Sequence, residues 1–160
     1  STFRITLPAT SCLLPQSVAD KSNLYNLAWK QADHSLGSIL VVDDEEDICH
    51  IIEDALTLKG YRIETARDGV QGLEKVGRQY FDLMLLDLRM PKKAGLEVLK
   101  ITRKTHPNLP IVIISGVAHE SEFTEALKLG ASACLKKPFD ILELLSIIKS
   151  LLHPAESMKA

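Results

Sequence analysis

The chain has 160 residues, of which 46% are hydrophobic and 25% are charged, and its formal net charge is −2 at pH 7. This length fits one domain with an appendage, and the hydrophobic share is normal for a chain that buries a core. The near balance of charge argues against general nucleic-acid binding, which needs a basic surface, and no apolar run approaches the roughly 20 residues of a membrane span.

Residues 1–37 differ from the remainder, because they hold only five charged residues and show no strong periodicity. Residues 22–33 could form a short helix, either within a loosely ordered leader, the interpretation we favour, or as a helix that docks a partner. We therefore expect an N-terminal extension over residues 1–37, a folded domain over residues 38–153 and a tail over residues 154–160. The three cysteines, at positions 12, 49 and 134, are odd in number and widely spaced, a pattern typical of a reduced, cytoplasmic chain without a zinc site or disulfides.

From Ser38 onward, five predicted strands alternate with five predicted helices. Buried-strand runs or short strands cover residues 38–42, 61–66, 81–87, 110–115 and 133–137. Helical spacing of apolar residues runs from Ile48 to Leu56 and over 69–80, 94–106, 119–130 and 140–152, the second of these weakened by internal glycines. The first, third and fourth strands are apolar throughout, as expected when helices cover both faces of a parallel sheet. The alternation predicts a doubly wound α/β fold.

Polar residues follow each apolar strand of this predicted sheet. Ligands bind outside the carboxyl ends of such strands, and these ends carry Asp43 with Asp44, Asp87, Ser115 and Lys137. Three carboxylates at one edge would repel each other unless a cation lay between them, and oxygen-only ligation suits Mg²⁺. A lysine and a hydroxyl beside a metal suit a phosphoryl group, so we predict that Asp87 is a nucleophile that accepts one.

Four motifs at these strand ends, ILVVDDEED, LLDLRMPKKAG, VIISG and LKKPF, resemble the receiver domain of two-component response regulators of the chemotaxis-regulator type. The resemblance runs from Ser38 to about His153, with each motif in order on the expected element. It implies a (βα)5 flavodoxin-like fold whose parallel five-stranded sheet has the order 2-1-3-4-5.

The resemblance also implies a metal and phosphoacceptor site. Asp43 and Asp44 match the acidic pair that holds Mg²⁺, and Asp87 matches the phosphoacceptor, which also contacts the metal. The backbone carbonyl of Arg89 matches the remaining protein ligand. The Arg89 side chain would lie at the mouth of the site, where it either tunes the lifetime of the phosphate or is a solvated surface arginine.

A second set of residues matches the family's switch. Ser115 corresponds to the hydroxyl that turns toward the phosphoryl oxygens, with Gly116 after it, and Lys137 to the lysine that pairs with the phosphate. The Lys137–Pro138 bond is expected to be cis. The family usually has Tyr or Phe three residues before this lysine, whereas this chain has Cys134. The aromatic part of the switch is therefore in doubt, and we interpret Cys134 as a small packed residue rather than a redox sensor.

The resemblance predicts a cytoplasmic signalling switch that catalyses only its own phosphorylation and dephosphorylation. A histidine kinase or a histidine phosphotransfer protein would supply the phosphoryl group, and the surface of the fourth helix, fifth strand and fifth helix would bind a downstream protein target. A homodimer is possible, whereas direct nucleic-acid or membrane binding is not expected. Since residues 153–160 are too few to fold, we expect a stand-alone receiver, a phosphorelay intermediate or a piece of a hybrid sensor kinase.

Two other functions fit part of this residue set. A phosphatase of the haloacid dehalogenase kind also uses an aspartate nucleophile, Mg²⁺, a hydroxyl and a lysine, but the second acid of its D-x-D motif is replaced here by Arg89, and no cap domain is visible. A receiver-like scaffold that is never phosphorylated is the other alternative. The intact set of Asp43, Asp44, Asp87, Ser115 and Lys137 argues against it.

Overall fold

A computed structural model describes residues 36–116 and 119–154, and these residues form five strands alternating with five helices. The strands are β1 (Gly37–Val42), β2 (Tyr61–Ala66), β3 (Leu83–Leu86), β4 (Ile111–Ser115) and β5 (Ala133–Lys136). The helices are α1 (Glu46–Leu58), α2 (Gly69–Arg78), α3 (Gly95–Thr105), α4 (Glu120–Lys128) and α5 (Ile141–Leu152). The predicted helix over residues 22–33 lies outside the described residues.

All strand pairs are parallel, and the sheet order is β2-β1-β3-β4-β5, which confirms the predicted topology. Every residue of β3 and β4 is buried, because helices cover both faces of the sheet. One core cluster joins the strands to α1 and α5, and the other joins them to α2, α3 and α4. Successive residues of β1 alternate between the two clusters, since neighbouring side chains of a strand point to opposite faces.

One of the two internal glycines that weakened the predicted second helix, Gly72, has a packing role. A Cβ atom on Gly72 would lie 3.0 Å from both methyl groups of Val42, so the glycine lets α2 lie close to β1. The helix ends at Arg78, two residues earlier than predicted, because Gln79 has an extended backbone. The third strand begins at Leu83 rather than at residue 81. Over the part of the chain that the structure describes, no helix is long and apolar enough to span a membrane.

Candidate functional site

Two carboxylates follow neighbouring strands at the same edge of the sheet. Val42 pairs with Leu86, and the Asp87 amide donates a 2.9 Å hydrogen bond to the Val42 carbonyl, so Asp43 and Asp87 lie side by side. Carboxylate oxygens of Asp43, Asp44 and Asp87 all lie within 4.8 Å of one another. Asp43 and Asp87 are buried, whereas Asp44 is exposed. The structure thus brings together the three acids that the sequence predicted to share a cation.

Lys137 forms ion pairs with two of these carboxylates and with Glu45. Its ammonium lies 2.7 Å from Asp43 Oδ2, 2.7 Å from Glu45 Oε1 and 3.5 Å from Asp87 Oδ2. Burial disfavours the ammonium form, but the hydrogen bonds that the ammonium donates to Asp43 and Glu45 outweigh it and raise the pKa of Lys137 above its ordinary value. Lys137 therefore carries a full positive charge at neutral pH.

Glu45 is a site residue that the sequence analysis missed. It is the residue before α1, and its amide donates a 2.9 Å hydrogen bond to Asp43 Oδ1 while its carboxylate binds Lys137. The acidic run in which it lies also suits an exposed helix start, so its residue type alone did not distinguish the two roles. The signal that could have found it was its position next to the predicted metal-binding pair.

The electrostatics of this edge favour a further cation. Three carboxylates, those of Asp43, Glu45 and Asp87, share one ammonium group. A fourth carboxylate, that of Asp44, has an oxygen within 4.8 Å of Asp43 and Asp87. Burial raises the pKa of Asp87, and the charge of Asp43 adds to it, although the amide of Arg89 and the ammonium of Lys137 act in the opposite direction. Because the donors are all oxygens and negative charge is in excess, the site fits a hard divalent ion such as Mg²⁺.

The predicted switch residues end β4 and follow β5. Ser115 is the last residue of β4 and is fully buried, and its hydroxyl has no hydrogen-bond partner among the described residues. The amide of Lys137 donates a 3.0 Å hydrogen bond to the Ser115 carbonyl, and a Cβ atom on Gly116 would lie 3.3 Å from Lys137 Cβ. The Lys137–Pro138 bond is cis, as the resemblance implied. These strand ends therefore meet next to the carboxylates.

Cys134 occupies a half-buried position on β5. Its thiol lies 3.8 Å from the carbonyl oxygen of Phe123 in α4, and it packs against the cluster that α2, α3 and α4 cover. Burial raises the pKa of the thiol, which lowers its reactivity. These contacts support the interpretation of a small packed residue.

The loop after β3 is held close to Asp87. The Arg89 amide donates a 3.1 Å hydrogen bond to Asp87 Oδ1, and the Gly95 amide donates a 3.0 Å bond to the Leu88 carbonyl. The Arg89 guanidinium is partly exposed, but it binds both carboxylate oxygens of Glu122 in α4, at 3.0 and 3.2 Å. Arg89 is thus ion-paired across the mouth of the site rather than only solvated.

Comparison with known proteins places this arrangement in one family. The family model described as the response regulator receiver domain matches residues 39–149. The response regulator MprA of Mycobacterium leprae is 40% identical over 115 residues, which are 72% of this chain and 50% of that protein. The CpxR homolog of Haemophilus influenzae, a transcriptional regulatory protein, is 36% identical over 122 residues, which are 76% of this chain and 53% of that protein. The chain therefore spans about half the length of these relatives.

Two solved structures share this fold over nearly their whole length. A CheY-like receiver domain protein from Methanospirillum hungatei matches with a TM-score of 0.73 and 32% identity, over 78% of this chain and 99% of that one. The receiver domain of the Francisella response regulator 1452 matches with a TM-score of 0.70 and 31% identity, over 74% of this chain and 98% of that one. The family model matches residues 39–149, which are most of the chain, and these two solved structures share its α/β fold at 32% and 31% sequence identity. The chain belongs to the response regulator receiver domain family of two-component signalling.

Proposed function

We propose that Asp87 accepts a phosphoryl group and that this modification switches a protein-binding surface of the domain. The observation that carries the proposal is the convergence of three carboxylates, one charged lysine and one buried hydroxyl at the carboxyl ends of β1, β3, β4 and β5. This set contains a nucleophile, positive charge for the phosphoryl oxygens and a hydroxyl donor.

The proposed reaction is a direct transfer from a phosphohistidine of a histidine kinase or a histidine phosphotransfer protein. An Asp87 carboxylate oxygen attacks the phosphorus, and the P–O bond forms as the P–N bond breaks. The bonding electron pair returns to the imidazole, which takes up a proton from solvent. Hydrolysis of the resulting acyl phosphate by water regenerates Asp87 and releases phosphate, so the domain has no turnover other than its own phosphorylation and dephosphorylation.

The residues that would hold Mg²⁺ are Asp43, Asp44 and Asp87, together with the backbone carbonyl of Arg89. A bound Mg²⁺ supplies charge neutralisation for the phosphoryl oxygens. Lys137, whose ammonium already lies 3.5 Å from Asp87, is placed to pair with the same oxygens. The unpartnered hydroxyl of Ser115 is available to donate to them.

The proposed output is a change in the surface of α4, β5 and α5. A phosphoryl group adds negative charge beside Ser115 and Lys137, and the strand ends connect these residues to the loops before α4 and α5. We propose that a downstream protein, or a second copy of the domain, binds this surface, and that the domain acts in the cytoplasm without direct nucleic-acid contact. The chain spans about half the length of relatives such as the CpxR homolog, a transcriptional regulatory protein. The proposed output therefore does not include regulation of transcription.

The test uses acetyl phosphate as a small phosphodonor and intact mass as the readout. We expect one phosphoryl adduct in the presence of Mg²⁺, little without Mg²⁺, and none in Asp87→Asn. Asp54→Asn, which changes an exposed aspartate on α1, is the matched control and should form the adduct like the unaltered protein.

The alternatives predict different outcomes of the same experiment. A protein that binds Mg²⁺ but forms no adduct would be the unphosphorylated scaffold. Continuous release of phosphate from varied phosphate monoesters would instead favour the phosphatase. Either result would overturn the proposed function.

A further inference from the structure

An ion pair connects the loop that follows the phosphoacceptor to helix α4. Arg89 is two residues after Asp87, and one of its terminal nitrogens lies 3.0 and 3.2 Å from the two carboxylate oxygens of Glu122. Its backbone amide is at the same time bonded to Asp87 Oδ1 at 3.1 Å. The Arg89–Glu122 bridge therefore joins a residue fixed to the acceptor carboxylate with the first turn of α4.

Glu122 also fixes the start of α4. Its Oε2 atom accepts a 2.9 Å hydrogen bond from the amide of His119, the residue before the helix. This backbone hydrogen bond, followed by the bond from Arg89, lowers the pKa of Glu122 despite partial desolvation, so the carboxylate is charged at neutral pH. One carboxylate thus holds both the end of the β4–α4 loop and the guanidinium of Arg89.

A phosphoryl group on Asp87 would compete for this guanidinium. It would add a charge of about −1.5 to −2 and three strong acceptor oxygens two residues from Arg89. A guanidinium binds phosphate oxygens in a bidentate manner and prefers them to a single partly exposed carboxylate. Because Arg89 reaches Glu122 through one terminal nitrogen, a move of the guanidinium toward the phosphoryl oxygens would weaken this contact.

We infer that the Arg89–Glu122 bridge holds α4 in its unphosphorylated position, and that phosphorylation of Asp87 releases α4 by drawing Arg89 away from Glu122. This inference rests on the proposed function, since it requires a phosphoryl group on Asp87. It assigns Arg89 a coupling role in addition to any effect on phosphate lifetime. It also provides a route from the site to α4 that does not depend on an aromatic residue at position 134.

The test measures amide hydrogen exchange in peptides from α4 of the full chain, before and after treatment with acetyl phosphate and Mg²⁺. Glu122→Gln removes the charge but keeps an oxygen that can accept the His119 hydrogen bond. Without the phosphodonor, we expect exchange in the first turn of α4 to be about two- to fivefold faster in this variant than in the unaltered protein, as for loss of one exposed ion pair. Phosphorylation should raise exchange of the unaltered protein to a similar level and change the variant little.

Two further variants separate the bridge from general effects on the helix. Glu120→Gln removes a carboxylate from the same first turn but takes no part in the bond to Arg89, so it should keep slow exchange and the full response to phosphorylation. Arg89→Gln breaks the bridge from its other end and should match unphosphorylated Glu122→Gln. Exchange in α2 is the internal check that each variant remains folded.

The outcomes distinguish failure of the inference from failure of the proposed function. If Glu122→Gln exchanges like the unaltered protein, or keeps the full response to phosphorylation, the bridge does not hold α4. If intact mass shows no adduct in the unaltered protein, the proposed function fails. The unphosphorylated comparison still tests whether the bridge fixes α4.

Discussion

The ammonium of Lys137 lies 2.7 Å from Asp43 Oδ2 but 3.5 Å from Asp87 Oδ2, so the lysine is bound more closely to the acid that follows β1 than to the acid that follows β3. Glu45 takes another of its hydrogen bonds at 2.7 Å. Lys137 is therefore a counter-ion of the acidic edge, where it offsets part of the negative charge that a divalent cation would also neutralise. Removal of the Lys137 ammonium should therefore change both the stability of the domain and its affinity for a divalent cation.

Replacement of Lys137 by Met should destabilise the metal-free domain by about 3 kcal/mol, because it leaves buried carboxylates without their ammonium partner. The same change removes a positive charge from the proposed metal site and should tighten Mg²⁺ binding by about tenfold. Mg²⁺ should therefore restore much of the lost stability, as a ligand that binds only the folded state does. Urea unfolding with and without Mg²⁺ measures both effects.

Lys136→Met is the matched control for this prediction, since Lys136 is the exposed neighbour on β5. It should change the free energy of unfolding and the Mg²⁺ affinity little. An equal loss of stability for Lys137→Met at zero and saturating Mg²⁺ would contradict the counter-ion role.

Replacement of Asp87 by Asn should stabilise the metal-free domain at neutral pH by about 0.5–2 kcal/mol, the gain that single stabilising substitutions commonly give. Burial, with the charge of Asp43, raises the pKa of Asp87 above its ordinary value of 3.8, so the folded state disfavours the ionised carboxylate. In the unaltered protein this costs stability at pH values above the folded pKa. Below the unfolded pKa both states are protonated and the cost vanishes.

The difference between Asp87→Asn and the unaltered protein should therefore grow as pH rises from about 3.8 through the raised pKa and then stay constant. Urea unfolding over this pH range in chelator-treated buffer measures it. Asp54→Asn, an exposed change on α1, should give a nearly flat difference. A gain from Asp87→Asn that disappears at neutral pH would show that the carboxylate is not destabilising.

Much of the fold could be predicted because the apolar strands are short, continuous and followed by polar residues. The runs before Asp43, Asp87 and Ser115 define the buried strands, and their ends define the edge at which these residues meet. The element boundaries were less certain, as the third strand illustrates. Phe81 is buried in the core, so its apolar character extended the predicted strand by two residues beyond the observed pairing, which begins at Leu83.

Partners that depend on tertiary contact could not be predicted in the same way. Glu45 is 92 residues from Lys137, and Arg89 is 33 residues from Glu122, so neither pair has a local signal in the sequence. The side chains of Glu45 and Arg89 are also long enough to reach several positions, and an exposed glutamate or arginine is ordinarily solvated. The strand-end residues were accessible to sequence reasoning because the backbone, rather than a flexible side chain, determines where they lie.

Gly95→Ala should destabilise the domain by about 1–3 kcal/mol, the usual cost of an extra methyl group in a packed site. A Cβ atom on Gly95 would overlap the Asp87 carbonyl oxygen and lie 2.5 Å from Leu88 Cα, so the backbone of the loop after β3 must move. Because this loop carries Asp87, phosphorylation by acetyl phosphate should also slow. Thermal unfolding and the rate of adduct formation measure the two effects.

Gly77→Ala is the control, because nothing lies within 4 Å of a Cβ atom on this exposed glycine of α2. It should stabilise the domain by up to about 1 kcal/mol, since alanine restricts the unfolded chain and favours the helix. If both alanine variants had the same stability, close approach of α3 to the backbone of Asp87 and Leu88 would not explain the glycine at position 95.

Cys49 should react very slowly with iodoacetamide in the folded protein. Its thiol is buried in α1 and donates a 3.4 Å hydrogen bond to the Asp43 carbonyl, and burial, followed by the charge of Asp43, raises the pKa of the thiol from 9.0 to about 11. At pH 8 the thiolate fraction should be roughly 100-fold lower than in the unfolded chain. Peptide mapping of alkylation with and without urea measures the ratio.

The rate for Cys49 should rise about tenfold per pH unit between pH 8 and 10, because the thiolate is the reacting form and its pKa of about 11 lies above this range. In urea the rate should level off near pH 9, so the two pH profiles separate burial from a general loss of reagent access. A folded-state profile that levels off near pH 9 would mean that the thiol is not desolvated. The packing of α1 behind Asp43 would then be looser than the contact between Cys49 and the Asp43 carbonyl implies.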